Sequence, residues 1–434
     1  MKIRGSQGLN KASCIRNADH TQTATEKNPH SKLTRNLTKV FNDFLEIKLT
    51  TPLTIETLDQ VQLKFCPSPD NFFCEELWNA CKADVNKITD SCSLPESLSS
   101  VIPGKKPVVF SSREGLDIVL QLHGTLDELK VNSLLVNPGG SSINVARALS
   151  GFDCDFDLVG MLGNGGRSEV FAKTLMTEWI DPATLLKVDG DTRMHFSTSI
   201  NGNEYWIVSD SPLLNGDLLS ALTEKLFESC RKNQKKVLAL ANSEPNGASE
   251  MYMPEIIEIT KDKYGMFVIY DTKLHGVRKE VVDAVLKKGP DIIKPNLAEF
   301  CDLVGIDEST LRTDRDQIVH FAKEMISKYG IKMILVSMDK DGGILVDKKR
   351  AVYAGAPDIK VVSPGCAGDT GIAAMIDRAE KEEFRLSRLS DDQMKKILSA
   401  FIAGGAATAS KPGSCLGTLD DVISLEKEIS VENL

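Results

Sequence analysis

The chain has 434 residues, 41% of them hydrophobic and 26% charged, the composition of a folded globular protein and not of a disordered one. A net charge of −9 argues against nucleic-acid binding, and no apolar run approaches the roughly 20 residues that span a bilayer. Ten scattered cysteines do not make a disulfide framework, so a cytoplasmic protein without a membrane or nucleic-acid partner is expected.

Residues 1–36 hold seven Lys or Arg and only two acids, Asp19 and Glu26. Two readings stand: a disordered tail, or a transit peptide that would send the protein to an organelle. Residues 37–107 regain apolar content (Phe41, Phe44, Phe72, Phe73, Trp78) and form an N-terminal extension of unknown role. Cys66, Cys74, Cys81 and Cys92 lie too far apart for the close ligand pairs of zinc sites, so buried thiols are the plainer expectation. Pro103-Gly104-Lys105-Lys106-Pro107 reads as a boundary.

From residue 108 short β-rich runs alternate with amphipathic stretches. A strand near Ile118–Leu122 and a turn before Asn137 come first, then a helix over 141–151. Strands at Phe156–Gly160, Val237–Ala241, Met266–Asp271, Asp291–Lys294 and Met333–Ser337 interleave with helices near 167–179, 217–231, 250–262, 276–288, 313–328, 367–382 and 391–410. This alternation predicts an α/β domain over 108–434, with a mostly parallel sheet flanked by helices. Thr192–Ile200 and Glu204–Ser209, joined by Asn201-Gly202-Asn203, predict a hairpin that serves as a small β lid over the sheet's carboxyl edge.

Three segments carry chemistry. Asn137-Pro138-Gly139-Gly140-Ser141-Ser142-Ile143-Asn144 puts two glycines before a helix bearing Asn144, suited to a polyhydroxylated ligand, although Gly-Gly turns before helices are common. Lys294-Pro295-Asn296-Leu297-Ala298-Glu299 ends a strand: Asn296 and Glu299 could hold Mg²⁺ through waters and Lys294 could reach a phosphate, or the pair is simply a capping box. Ser363-Pro364-Gly365-Cys366-Ala367-Gly368-Asp369-Thr370 opens a helix. Its small residues let amides approach an anion at the helix N-terminus, and Asp369 could take a proton from a hydroxyl. The same segment also fits an ordinary Gly-rich turn capped by Asp369.

In this order and spacing the segments resemble the ribokinase-like, or PfkB, carbohydrate kinases, over about three quarters of the chain, and most of all the phosphosugar branch of phosphofructokinases and tagatose-6-phosphate kinase. Gly115-Leu116-Asp117, Thr192-Arg193, Asn242-Ser243-Glu244-Pro245-Asn246-Gly247 and Ala403-Gly404-Gly405-Ala406-Ala407 fall where that family has its further landmarks. The resemblance implies a ribokinase-like fold and an ATP-dependent kinase that uses Mg²⁺ and acts on a sugar or sugar phosphate. Asp369 would be the catalytic base, with Cys366, Ala367 and Gly368 in the anion-binding loop. Asp117, Asn144, Gly139 and Gly140 would serve the sugar, and Lys130 and Arg193 the phosphate already on it. Lys294, Asn296, Ser337, Gly342 and Gly404 would serve the nucleotide, with Glu299 and Asn296 on the metal side. A homodimer through the lid strands also fits the family.

Four departures leave alternatives open. Cys366 replaces a glycine, which costs roughly 1–2 kcal/mol if the position needs φ > 0, unless Gly365 shifts the loop. Asp339 also replaces a glycine, near the expected nucleotide site. Both favour a kinase-like scaffold that has lost turnover. Ser141 and Ser142 replace a Gly/Lys-Gly pair and crowd a phosphosugar, which favours a free sugar or nucleoside as acceptor. His195, Trp179 and Trp206 are expected to be structural.

Overall fold

A computed structural model describes residues 104–434, except 126–127, 201–202, 242–243 and 272–277, together with the strand segments Lys2–Ser6 and Gln62–Lys64. The targeting, extension and cysteine expectations for residues 1–103 otherwise lie outside the described residues.

The expected strands are short apolar runs, as strands covered on both faces must be. In spatial order Asp157–Val159, Val108–Phe110, Val237–Leu240, Phe267–Tyr270, Ile292–Ile293 and Met333–Ser337 pair in parallel. Gly343–Asp347, Ala351–Ala354 and Val431–Asn433 continue the sheet antiparallel. Alternate residues face opposite sides. Val109, Ala239 and Ile269 meet the core that also holds residues of the Ser141–Gly151, Ala367–Lys381 and Asp391–Ala409 helices. Val108, Leu238 and Val268 meet the Gly216–Lys232 and Tyr252–Tyr264 helices on the other face.

Within this sheet, strand Val108–Phe110 is followed in sequence by Asp157–Val159, which lies on one side of it, and then by Val237–Leu240, which lies on the other. Its carboxyl end is therefore a topological switch point, where open α/β sheets bind ligands. The chain leaves that point through Ser111–Glu114 into strand Gly115–Thr125.

That strand starts the lid. It pairs antiparallel with Glu128–Gly139 and parallel with Arg193–Ile200, which pairs in turn with Asn203–Val208. Lys2–Ser6 and Gln62–Lys64 add strands at its two edges. The hairpin follows the prediction closely. The chain reverses well before Asn137, which lies inside the 12-residue strand Glu128–Gly139 antiparallel to Gly115–Thr125, its Leu134–Val136 run continuing the ladder. Strands after residue 340 and the helix Leu419–Glu426 were not anticipated. Trp179 is 59% exposed at φ 59°, just past the end of the Gly166–Thr177 helix, and is not a packing residue. No helix among the described residues is long and apolar enough to cross a membrane.

Candidate active site

The helix Ala367–Lys381 starts immediately after Cys366, which adopts φ 63°. Gly365 therefore does not absorb the left-handed turn, and Cys366 carries the strain itself. Asp339 behaves alike at φ 52° in the turn after Met333–Ser337. Asp369 lies in the first helical turn, 7% exposed, where unpaired amides favour a carboxylate. Its Oδ2 accepts a 2.8 Å hydrogen bond from Nδ2 of Asn144, on the neighbouring Ser141–Gly151 helix. The same amide nitrogen lies 3.2 Å from Sγ of Cys366. Cys366, Ala367 and Gly368 are half-buried at the mouth of this arrangement.

Lys294 is buried at the end of strand Ile292–Ile293, and its Nζ pairs with Asp271 Oδ1 at 3.0 Å. A methyl group built on Gly368 would stand 3.0 Å from the same Nζ, so the ammonium lies against the start of the Ala367–Lys381 helix. Burial alone would lower its pKa, but Asp271, Asp369 and Glu299 together raise it above the usual lysine value. A fixed positive charge thus faces the loop where an anion is expected.

The lid register brings together most of the residues expected on the sugar side. Asp117 stands opposite Asn137 on one strand and His195 on the other, and Gly115 stands opposite Gly139 and Arg193. Asp117 is nearly buried, with His195 Nδ1 3.4 Å from its Oδ1. Its carboxylate fills the space above Gly139, where any side chain would overlap it. Gly140 takes φ 100°, with the Arg113 carbonyl 2.8 Å from where a Cβ would sit. Burial, then the charge of Arg113, lowers the pKa of Arg193, against the pull of Asp117 and Asp210. Arg113 is held by a 2.8 Å bond from Nε to the Glu244 carbonyl. Two guanidinium groups therefore share the neighbourhood of Asp117.

Lys130 is not brought to this site along its own strand. It pairs with His123, seven residues from Asn137, or about 23 Å of extended chain. Ser142 does not crowd the pocket either, since it is fully buried and its Oγ accepts from Ala241 N–H at 3.3 Å.

On the other side, Asn296 and Glu299 form the reciprocal capping box, with bonds of 2.8 and 2.9 Å. Asn296 also bridges to Ser337 at the carboxyl edge of the sheet. Gly342 has φ 85° and passes so close to the Ala354 carbonyl that no side chain fits, a sufficient reason for glycine there. Gly404 is buried against Thr370, Gly371 and Ala374, where it lets two helices touch, while the partly exposed Gly405 lies nearer Ala367. Among the described residues no group of three or more His, Cys, Asp or Glu could hold a metal ion. A broad groove between the Lys279–Lys287 and Arg315–Tyr329 helices contains none of these side chains.

Sequence reasoning passed over Arg113, Asp271, Arg147 and the pairing of His195 with Asp117. Arg113 carried one usable signal: a charged residue three places after the buried strand at the switch point.

The sequence matches the family described as pfkB family carbohydrate kinase over residues 116–409. It is 25% identical to the ATP-dependent 6-phosphofructokinase isozyme 2 of Escherichia coli over 296 residues, 68% of this chain and 88% of that protein. It is 27% identical to the 1-phosphofructokinase of Borreliella burgdorferi over 298 residues, with the same coverage. The structure of E. coli phosphofructokinase-2 in complex with substrates and products covers 75% of this chain and 99% of its own, with a TM-score of 0.62 and 23% identity. At that identity the likeness speaks for the fold.

Proposed function

The chain belongs to the pfkB family of carbohydrate kinases, and from that premise we propose that it transfers the γ-phosphoryl group of ATP to a hydroxyl of a sugar phosphate, with Asp369 as general base. The carrying observation is the buried Asp369 carboxylate at a helix N-terminus, oriented by Asn144, with the Lys294 ammonium beside Gly368. In this reading Asp117 and Asn144 hold the sugar so that one hydroxyl meets Asp369, which takes its proton as the oxygen attacks. The amides that open the helix and the Lys294 charge stabilise the negative charge on the transferring group.

A phosphate on the acceptor is supported by Arg113 and Arg193 beside Asp117. Fructose 6-phosphate and fructose 1-phosphate are the acceptors to try first, since the curated relatives are phosphofructokinases. The crowding that favoured a free sugar loses its force at Ser142, whose hydroxyl is turned to Ala241.

Mg²⁺ suits a site with few carboxylates, because it binds largely through phosphate oxygens and waters. Glu299, next to Lys294 in the charge pattern, is the residue that would hold it, and the ion would neutralise phosphate charge. Ser337 and Asn296, adjoining at the sheet edge, are proposed to line the nucleotide's path. A homodimer through the lid completes the reading; E. coli phosphofructokinase-2 has a tetrameric inhibited form.

The test is ATP consumption by the purified chain with fructose, fructose 6-phosphate and fructose 1-phosphate. Asp369→Asn should lower kcat by about 10²–10⁴-fold with the fold intact. Full turnover in that variant rejects the base, and equal rates on fructose and its phosphates reject the phosphosugar acceptor.

A further inference from the structure

A line of hydrogen bonds runs from the rim of the site to Asp369. Glu178, beyond the Gly166–Thr177 helix, accepts from Nε and Nη2 of Arg147 at 3.0 and 2.7 Å. Arg147 is 3% exposed, and its Nη1 reaches the Pro138 carbonyl at 3.0 Å, the Ser414 carbonyl at 3.2 Å and Asn144 Oδ1 at 3.2 Å. A guanidinium only donates, so the Asn144 atom turned toward it must be the oxygen. The amide nitrogen then points the opposite way, at Asp369 Oδ2.

We infer that Arg147, anchored by Glu178, is a positioning residue: it fixes Asn144 as a donor toward Asp369 and so keeps that carboxylate ionised and aimed. This rests on the reading of Asp369 as the base. Without Arg147 the amide is free to turn, and its oxygen would then face a carboxylate, which repels it. The other charged or titratable groups facing Asp369 are Lys294, with Asp271 and Glu299 around it, and Cys366 on its own loop. Of these only Cys366 touches the Asn144 amide, at the same nitrogen, while the amide oxygen is held by Arg147. A hydrogen bond donated to a carboxylate favours its charged form, so its loss moves protonation to higher pH.

The test compares Arg147→Met, Arg147→Lys and Glu178→Leu in the full chain, using ATP and the better of the two fructose phosphates, with melting temperatures recorded alongside. Arg147→Met is expected to lower kcat about 30-fold, leave the KM for ATP within about threefold, and move the acid limb of the pH–rate profile up by about one unit. Arg147→Lys, which can still donate to Asn144 Oδ1, should keep the acid limb near its original place. A normal kcat and acid limb in a folded Arg147→Met protein overturns the inference. Should that variant not fold, Glu178→Leu, which removes the acceptor for Arg147, decides, since an acid limb that does not rise at all in it is equally fatal. Asp369→Asn separates the levels: if it is inactive while Arg147→Met is normal, only the positioning role fails, whereas an active Asp369→Asn removes the base itself.

Discussion

The Asp117 carboxylate lies directly over Gly139, its partner two places along the lid ladder, and takes the volume a side chain there would need. Gly139 of the Asn137-Pro138-Gly139-Gly140 segment is thus explained by a neighbour's acid group. Gly139→Ala should push Asp117 aside, at about 1–3 kcal/mol of stability. The KM for the sugar substrate is expected to rise at least about tenfold with the KM for ATP little changed, as steady-state kinetics would read. Unchanged sugar affinity would place Asp117 outside the substrate site.

The ion pair of Lys294 and its proposed role beside the phosphoryl group can be separated by mutation. Lys294→Met leaves Asp271 buried without its cation, which costs about 3–5 kcal/mol in denaturant unfolding. In Lys294→Met/Asp271→Leu most of that stability should return while turnover stays low, because the positive charge beside Gly368 is still missing. Recovery of activity together with stability would show that the lysine is structural alone.

Cys366 holds φ 63° without the freedom of glycine. Cys366→Gly should relieve about 1 kcal/mol of strain, partly offset by the greater freedom of the unfolded chain, so the melting temperature should rise by about 2 °C. The helix amides are unaltered, so kcat should stay within about twofold. A lower melting temperature would mean that the Asn144 contact to Sγ outweighs the strain.

Glu114, three residues before Asp117, is buried, and burial pushes its carboxyl up to about 8 despite the N–H of Met161. Its folded value lies above its unfolded one, so its favourable contribution is complete below about 4.5 and fades as pH rises toward 8. Glu114→Gln keeps an acceptor for Met161 and cannot ionise. Its stability advantage over the parent should grow between about pH 5 and 8 to a few kcal/mol, then level off, in urea unfolding at several pH values. An advantage independent of pH would assign the effect to packing.

The parallel sheet was legible because strands such as Val237–Leu240 and Met333–Ser337 are apolar throughout and separated by helical periods. The antiparallel strands Gly343–Asp347 and Ala351–Ala354 were missed because short turns after Ser337 and after Asp347 leave no α-helix to mark the change of direction. In the site, Asp369, Asn144 and Lys294 could be picked out by motif. Their neighbours Asp271, Arg147 and Arg113 could not, since each acquires its place through long-range contacts: Arg113 is tied to Glu244 and Arg147 to Ser414. The capping box at Asn296 shows the reverse, a local pattern that forms as written whatever else those residues bind.

The strand that carries Asp117 also begins the lid, and this gives the lid the mechanics of a lever. Asp117 is two residues from the root at Gly115, and the tip at Thr125 is ten. A tilt about that root sweeps the tip through an arc about five times longer than the displacement at Asp117. Such a fulcrum lets the far end swing widely while the acid that would grip the sugar scarcely leaves its station.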